Sequence, residues 1–171
     1  ARRRRALMRL IGRDGIAILP AAPSRVRNRD VEFGYRQDSD FYYLTGFAEP
    51  DAVAVLAPGR REGEFVMFCR ERDPERERWD GERAGMEGAC ETFGADDAFP
   101  IDDLDEILPG LMEGRARVHY AMGLVPDFDH KLVQWMASLR RGPAGGLPQE
   151  MASLEHTLHD MRLYKSRAEI A

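Results

Sequence analysis

Apolar residues recur along this chain in two rhythms. Leu7, Leu10 and Ile11 have the spacing of one helix face and precede Gly12, which permits a turn. Gly15 to Leu19 then reads as a strand. Ala52–Ala57 and Phe65–Cys69 are unbroken apolar runs separated by Pro58-Gly59 and a charged loop, the mark of a hairpin buried on both faces. Leu104, Ile107, Leu108 and Leu111 share a face of a short amphipathic helix, and Val118–Met122 is a further buried strand. Phe128, Leu132, Trp135, Met136 and Leu139 predict a longer helix, opened by Pro126-Asp127 and closed by Gly142-Pro143. Hairpins in the first half and crossover helices in the second imply an α/β domain, a mixed sheet flanked by helices.

Two stretches break the rhythm. Arg70–Gly88 is dominated by Arg, Glu, Asp and Gly, so it is expected to be an exposed excursion in which Trp79 is held for a reason. Tyr35–Phe47, reading YRQDSDFYYLTGF, is the densest segment in the chain. Phe41, Tyr42, Tyr43, Leu44 and Thr45 favour a pleated, buried surface, which predicts a strand entered by a side-chain-bonded turn at Asp38, Ser39 and Asp40. Gly46 supplies the exit toward Glu49-Pro50. An ion pair from Arg36 to Asp38 or Asp40 would lock the turn. Sheet packing explains these residue types without any substrate.

At 171 residues the chain suits one packed domain plus a connector, and its composition is that of a globular protein. All but two of its 25 basic side chains are arginines, yet the net charge is −5, so Arg2–Arg5 makes no case for a nucleic-acid partner. No apolar run is long enough to span a bilayer and no secretory signal is visible, so a cytoplasmic setting is expected. Cys69 and Cys90 lack metal-ligand or disulfide-framework spacing and read as reduced thiols.

Catalytic signals are absent from the sequence. His119 inside an apolar run reads as a satisfied core histidine. His156 and His159 would share one helix face, but two ligands are not a metal site. No H-E-x-x-H pattern, phosphate loop or G-x-S-x-G elbow occurs. The chain is therefore expected to hold no metal and to be inactive by itself. Ser166 and Glu169 form a capping-box pattern at the last residues, as if a helix began there, which makes a fragment of a longer protein the expectation.

The Tyr35–Phe47 segment resembles the N-terminal domain of aminopeptidase P, a member of the creatinase/prolidase group, in Tyr35, Arg36, Gln37, Ser39, Asp40, Phe41, Gly46 and Phe47. The run His159–Ile170 resembles that family's connection between domains. The resemblance implies a three-layer α/β domain over residues 1–150, with 151–171 leading into a catalytic "pita-bread" domain. It implies a metal-dependent Xaa-Pro aminopeptidase whose two manganese ions are bound by that C-terminal domain. It implies proline-containing peptides as substrates and a homo-oligomer in which this domain shapes the active-site entrance. Two positions are singled out. Asp30 could face the substrate's terminal ammonium, against a solvated loop charge, and Trp79 matches a family tryptophan that could meet substrate proline or a neighbouring subunit, against a local packing anchor. An Xaa-Pro dipeptidase, or a non-catalytic binding module of the same lineage, is the alternative.

Overall fold

The computed structural model describes residues 1–24, 26–28, 31–142 and 146–163, without the side chains of residues 26–28, 31, 32 and 80. Its elements are α1 (Arg2–Ile11), β1 (Gly15–Pro20), β2 (Val26–Asn28), β3 (Val31–Glu32), α2 (Ser39–Thr45), β4 (Val53–Leu56) and β5 (Phe65–Cys69). There follow α3 (Glu77–Asp80), α4 (Gly85–Glu91), β6 (Asp97–Pro100), α5 (Leu104–Met112), β7 (Arg117–Tyr120), α6 (Pro126–Arg141), β8 (Glu150–Ser153) and α7 (Leu154–Leu163). The main sheet has the order β6-β5-β4-β1-β7-β8. Strand β4 is antiparallel to both neighbours, while the pairs β1–β7, β5–β6 and β7–β8 are parallel. Hence β4 alone runs against the other five.

Period-two alternation sorts the central strands onto two cores. Ala17, Leu19, Ala54, Leu56, Met67 and Cys69 face Leu7 of α1, Phe41 of α2, Ala89 of α4 and Leu158 of α7. Ile16, Ile18, Val53, Val55, Val66 and Phe68 face Leu104 and Leu108 of α5 and Leu132 and Trp135 of α6. The result is the helix-flanked mixed sheet that the pattern implied, in the three layers that the resemblance implied. The predicted hairpin is β4–β5, buried throughout on both faces. The packed unit continues past residue 150: β8 pairs with β7, and Leu154 and Leu158 of α7 are buried.

Four expectations are corrected. Phe41–Thr45 is helix, not strand. Asp38 caps it, its Oδ1 accepting from the amides of Asp40 and Phe41 at 2.9 Å each, and such a cap is worth about 1 kcal/mol. Gly46 closes the helix in the left-handed conformation, φ 74°. Phe41, Leu44 and Thr45 are buried while Tyr42 is 53% exposed, so the segment has helical periodicity that its aromatic content masks. Second, the excursion stops at residue 84, because Gly85–Glu91 is helical with Gly85 and Ala89 buried. Third, His119 is buried, but neither ring nitrogen has a hydrogen-bond partner, so it is not satisfied. Fourth, the ion pair to Asp40 comes from Arg162 of α7 rather than from Arg36.

Of the four leading arginines, Arg4 is a core residue. Its guanidinium donates to the carbonyls of Leu44 (3.1 Å) and Gly94 (3.2 Å) and lies 4.0 Å from the centroid of the Phe65 ring. Cys69 is buried and Cys90 half-buried, both as free thiols, and burial pushes the Cys69 thiol up to about 11.

Candidate functional site

The carboxyl ends of β1, β5, β6 and β7 open on one rim of the sheet, where binding sites of open α/β folds form. Because β4 is reversed, its leading turn, Glu49–Ala52, arrives at the same rim. A groove of about 1420 Å³ follows this rim, lined among others by Pro20, Tyr35, Asp51, Arg70, Arg83 and Lys131. Its wall mixes both signs of charge, which suits a polar protein or peptide surface better than a polyanion.

The signature residues build the rim. Gln37 Oε1 accepts from the amides of Ala22 and Asp38, and Gln37 Nε2 donates to the Glu49 carbonyl at 2.9 Å. The Tyr35 hydroxyl donates to the Ala22 carbonyl at 3.0 Å and approaches that of Glu49 at 3.5 Å. Burial, with Asp51 and Asp38 nearby, pushes this phenol up to about 12, so it stays protonated as a donor. Phe41 and Phe47 are wholly buried, and the Phe47 ring meets Phe93 edge-on at 4.9 Å. Asp40 is engaged by Arg162 at 2.6 Å, while Ser39 and Arg36 are exposed. These are the contacts of a structural latch.

Trp79 lies on the short helix α3, with 89% of its surface exposed. The loop carrying it is ordered by its own polar contacts. Arg72 grips Glu77 through two hydrogen bonds of 3.1 and 2.9 Å, which holds the Glu77 carboxyl below the usual carboxylate range. Asp73 Oδ1 accepts from the amides of Glu75 and Arg76. Trp79 is therefore displayed on a loop held by its own polar contacts, outside both cores. Asp30 lies outside the described residues, as does the Ser166/Glu169 pattern.

His156 and His159 do share a face of α7, yet they part company: His156 is 3.6 Å from Asp160 and His159 is 3.8 Å from Asp40. Among the described residues, no three His, Cys, Asp or Glu side chains gather as a metal site requires. The described residues thus offer no ligand set for a metal pair, which the resemblance assigns to the C-terminal domain. Nor is any described helix long and apolar enough to cross a membrane. What sequence reading missed is Glu49, a carboxylate two residues before Asp51 in a turn, whose partners are 12 to 35 positions away.

Known proteins agree with this architecture. Residues 1–120 match the family model "Aminopeptidase P, N-terminal domain". The chain is 38% identical to the Xaa-Pro aminopeptidase of Escherichia coli, covering 99% of this chain and 39% of that protein. Among solved structures, Pseudomonas aeruginosa aminopeptidase PepP superimposes with a TM-score of 0.95 at 61% identity, over 99% of this chain and 39% of that one. A zinc-substituted E. coli aminopeptidase P in complex with product gives a TM-score of 0.93 at 37% identity, with the same two coverages of 99% and 39%. The chain thus spans about two-fifths of the length of these relatives. By sequence and by fold, it belongs to the aminopeptidase P N-terminal domain family.

Proposed function

We propose that this chain is the non-catalytic N-terminal domain of a cytoplasmic, metal-dependent Xaa-Pro aminopeptidase, which removes an N-terminal residue preceding proline. The hydrolytic chemistry and the manganese pair belong to a C-terminal domain, entered through the end of the 151–171 segment. This domain contributes assembly of a homo-oligomer and the entrance to the active site. There Trp79 meets substrate proline or a neighbouring subunit, and Asp30 faces the peptide's terminal ammonium. The observation that carries the reading is Trp79 itself. A large ring left 89% exposed on an ordered loop, in a chain 61% identical to a solved aminopeptidase, is a surface awaiting a partner.

The full-length protein supplied with Mn²⁺ should release the first residue of an Xaa-Pro peptide, and the 171-residue chain alone should release none. Turnover by the purified chain, or none by the metal-loaded full-length protein, would overturn the proposal. Cleavage confined to dipeptides would mark a dipeptidase instead.

A further inference from the structure

One carboxylate holds both ends of the loop that carries Trp79. Arg70, where the chain leaves β5, points Nη2 at Glu49 Oε2 at 3.4 Å. Ala84, where the chain enters α4, donates its amide to Glu49 Oε1 at 2.7 Å. The Arg70 and Glu49 side chains are only 17% and 20% exposed, so the pair is shielded from competing water. Glu49 is itself fixed, because its carbonyl accepts from Gln37 Nε2 at 2.9 Å and faces the Tyr35 hydroxyl. Within the loop, Arg83 Nη1 adds a bond to the Glu71 carbonyl at 3.3 Å, a second tie across the same neck.

The geometry points to Glu49 as the positioning residue of the Trp79 loop. This rests on the proposed role of Trp79 and extends it. A surface loop whose ends are close and whose interior is filled by its own side chains behaves as a unit, and its tip is only as well placed as its neck. A neck clasped by this rigidly held carboxylate and braced by Arg83 fixes the base of the ring's loop before any partner arrives, so part of the ordering cost of binding is already met. The same arrangement explains why Tyr35 and Gln37 accompany a tryptophan far along the chain: they fix Glu49, and Glu49 fixes the loop.

The test uses the full-length protein and reads amide exchange as well as kinetics. In Glu49→Gln one oxygen becomes a donor, so Arg70 and Ala84 cannot both be held. Peptides covering residues 70–84 should exchange about tenfold faster or more, with those from β4 and β5 unchanged. KM, or the dissociation constant for assembly, should worsen about as much as in Trp79→Ala, with kcat within about twofold. The double variant should be no worse than Trp79→Ala alone, since both remove one contact. Should Glu49→Gln not fold, Arg70→Gln opens one end of the neck and must show the same exchange signature. Parental exchange across residues 70–84, or additive kinetic defects, would overturn the proposal. If Trp79→Ala changes neither KM nor assembly, the reading of Trp79 fails, while fast exchange in Glu49→Gln still establishes the clasp.

Discussion

Asp40 and Arg162, 122 positions apart, meet at 2.6 Å and tie the signature helix α2 to α7. His159 Nε2 approaches the other oxygen of Asp40 at 3.8 Å, and the Tyr43 hydroxyl donates to the Met161 carbonyl at 3.1 Å. The signature thus grips the last described element of the chain as well as the rim.

Asp40→Asn should therefore loosen α7. Asp40 is 15% and Arg162 34% exposed, so solvent screens the pair in part and the loss should be about 1 kcal/mol. Urea unfolding reads it as a lowered midpoint at constant slope. An unchanged midpoint would mean that Leu154, Leu158 and the Tyr43–Met161 bond hold the helix without the ion pair.

Arg4→Met should cost far more than Arg5→Met. It strands the carbonyls of Leu44 and Gly94 and removes the cation from the Phe65 ring, a loss of about 2–4 kcal/mol. Arg5 is exposed, and Arg5→Met should stay within about 0.5 kcal/mol. Equal denaturation midpoints for the two variants would contradict the buried role.

His119 makes stability depend on pH. Burial first, and Arg117 second, lower its pKa below 6.5. The unfolded chain then binds the proton more readily than the fold. Its contribution is complete above the unfolded value and is lost as pH falls toward the folded one. Unfolding free energies at about pH 7.5 and about pH 5.5 should differ less in His119→Leu than in the parent. A difference of the same size in both would remove His119 from the account.

Trp79→Ala in the full-length protein should raise KM or weaken assembly while changing stability by no more than about 0.5 kcal/mol, since the ring is out of the core. Kinetics, size-exclusion mass and thermal unfolding decide this together. A large loss of stability alone would count against it.

Asp30→Asn should lower kcat/KM modestly, by about the 0.2–1 kcal/mol of a solvent-exposed ion pair, and the defect should shrink for peptides lacking the terminal charge. Equal kinetics on an uncapped peptide at low salt would assign Asp30 to solvent.

The buried elements were legible because continuous apolar runs and helical spacing leave few alternatives: β1, β4, β5, β7, α5 and α6 follow from residue type. The signature was legible as a family mark and not as a shape. Its aromatic residues argue for a strand by propensity, yet the Asp38 cap and the Gly46 stop define a helix. Edge strands β6 and β8 gave little signal, since they are short and only partly buried. Trp79 stood out by being the one large ring in a charged stretch. Glu49 did not, because its partners come together only when the sheet is assembled.

The reversed direction of β4 divides the molecule into two ends with different freedoms. Had β4 run with its neighbours, its leading turn would lie about 13 Å away at the far edge, at ~3.3 Å per residue, and Glu49 could not reach Arg70. The opposite edge carries the β4–β5 hairpin loop, where Arg61 and Glu62 face solvent. A fluorophore, a tag or a tether for surface immobilisation attached at Arg61 or Glu62 should therefore leave the Glu49 clasp untouched, a full strand length away.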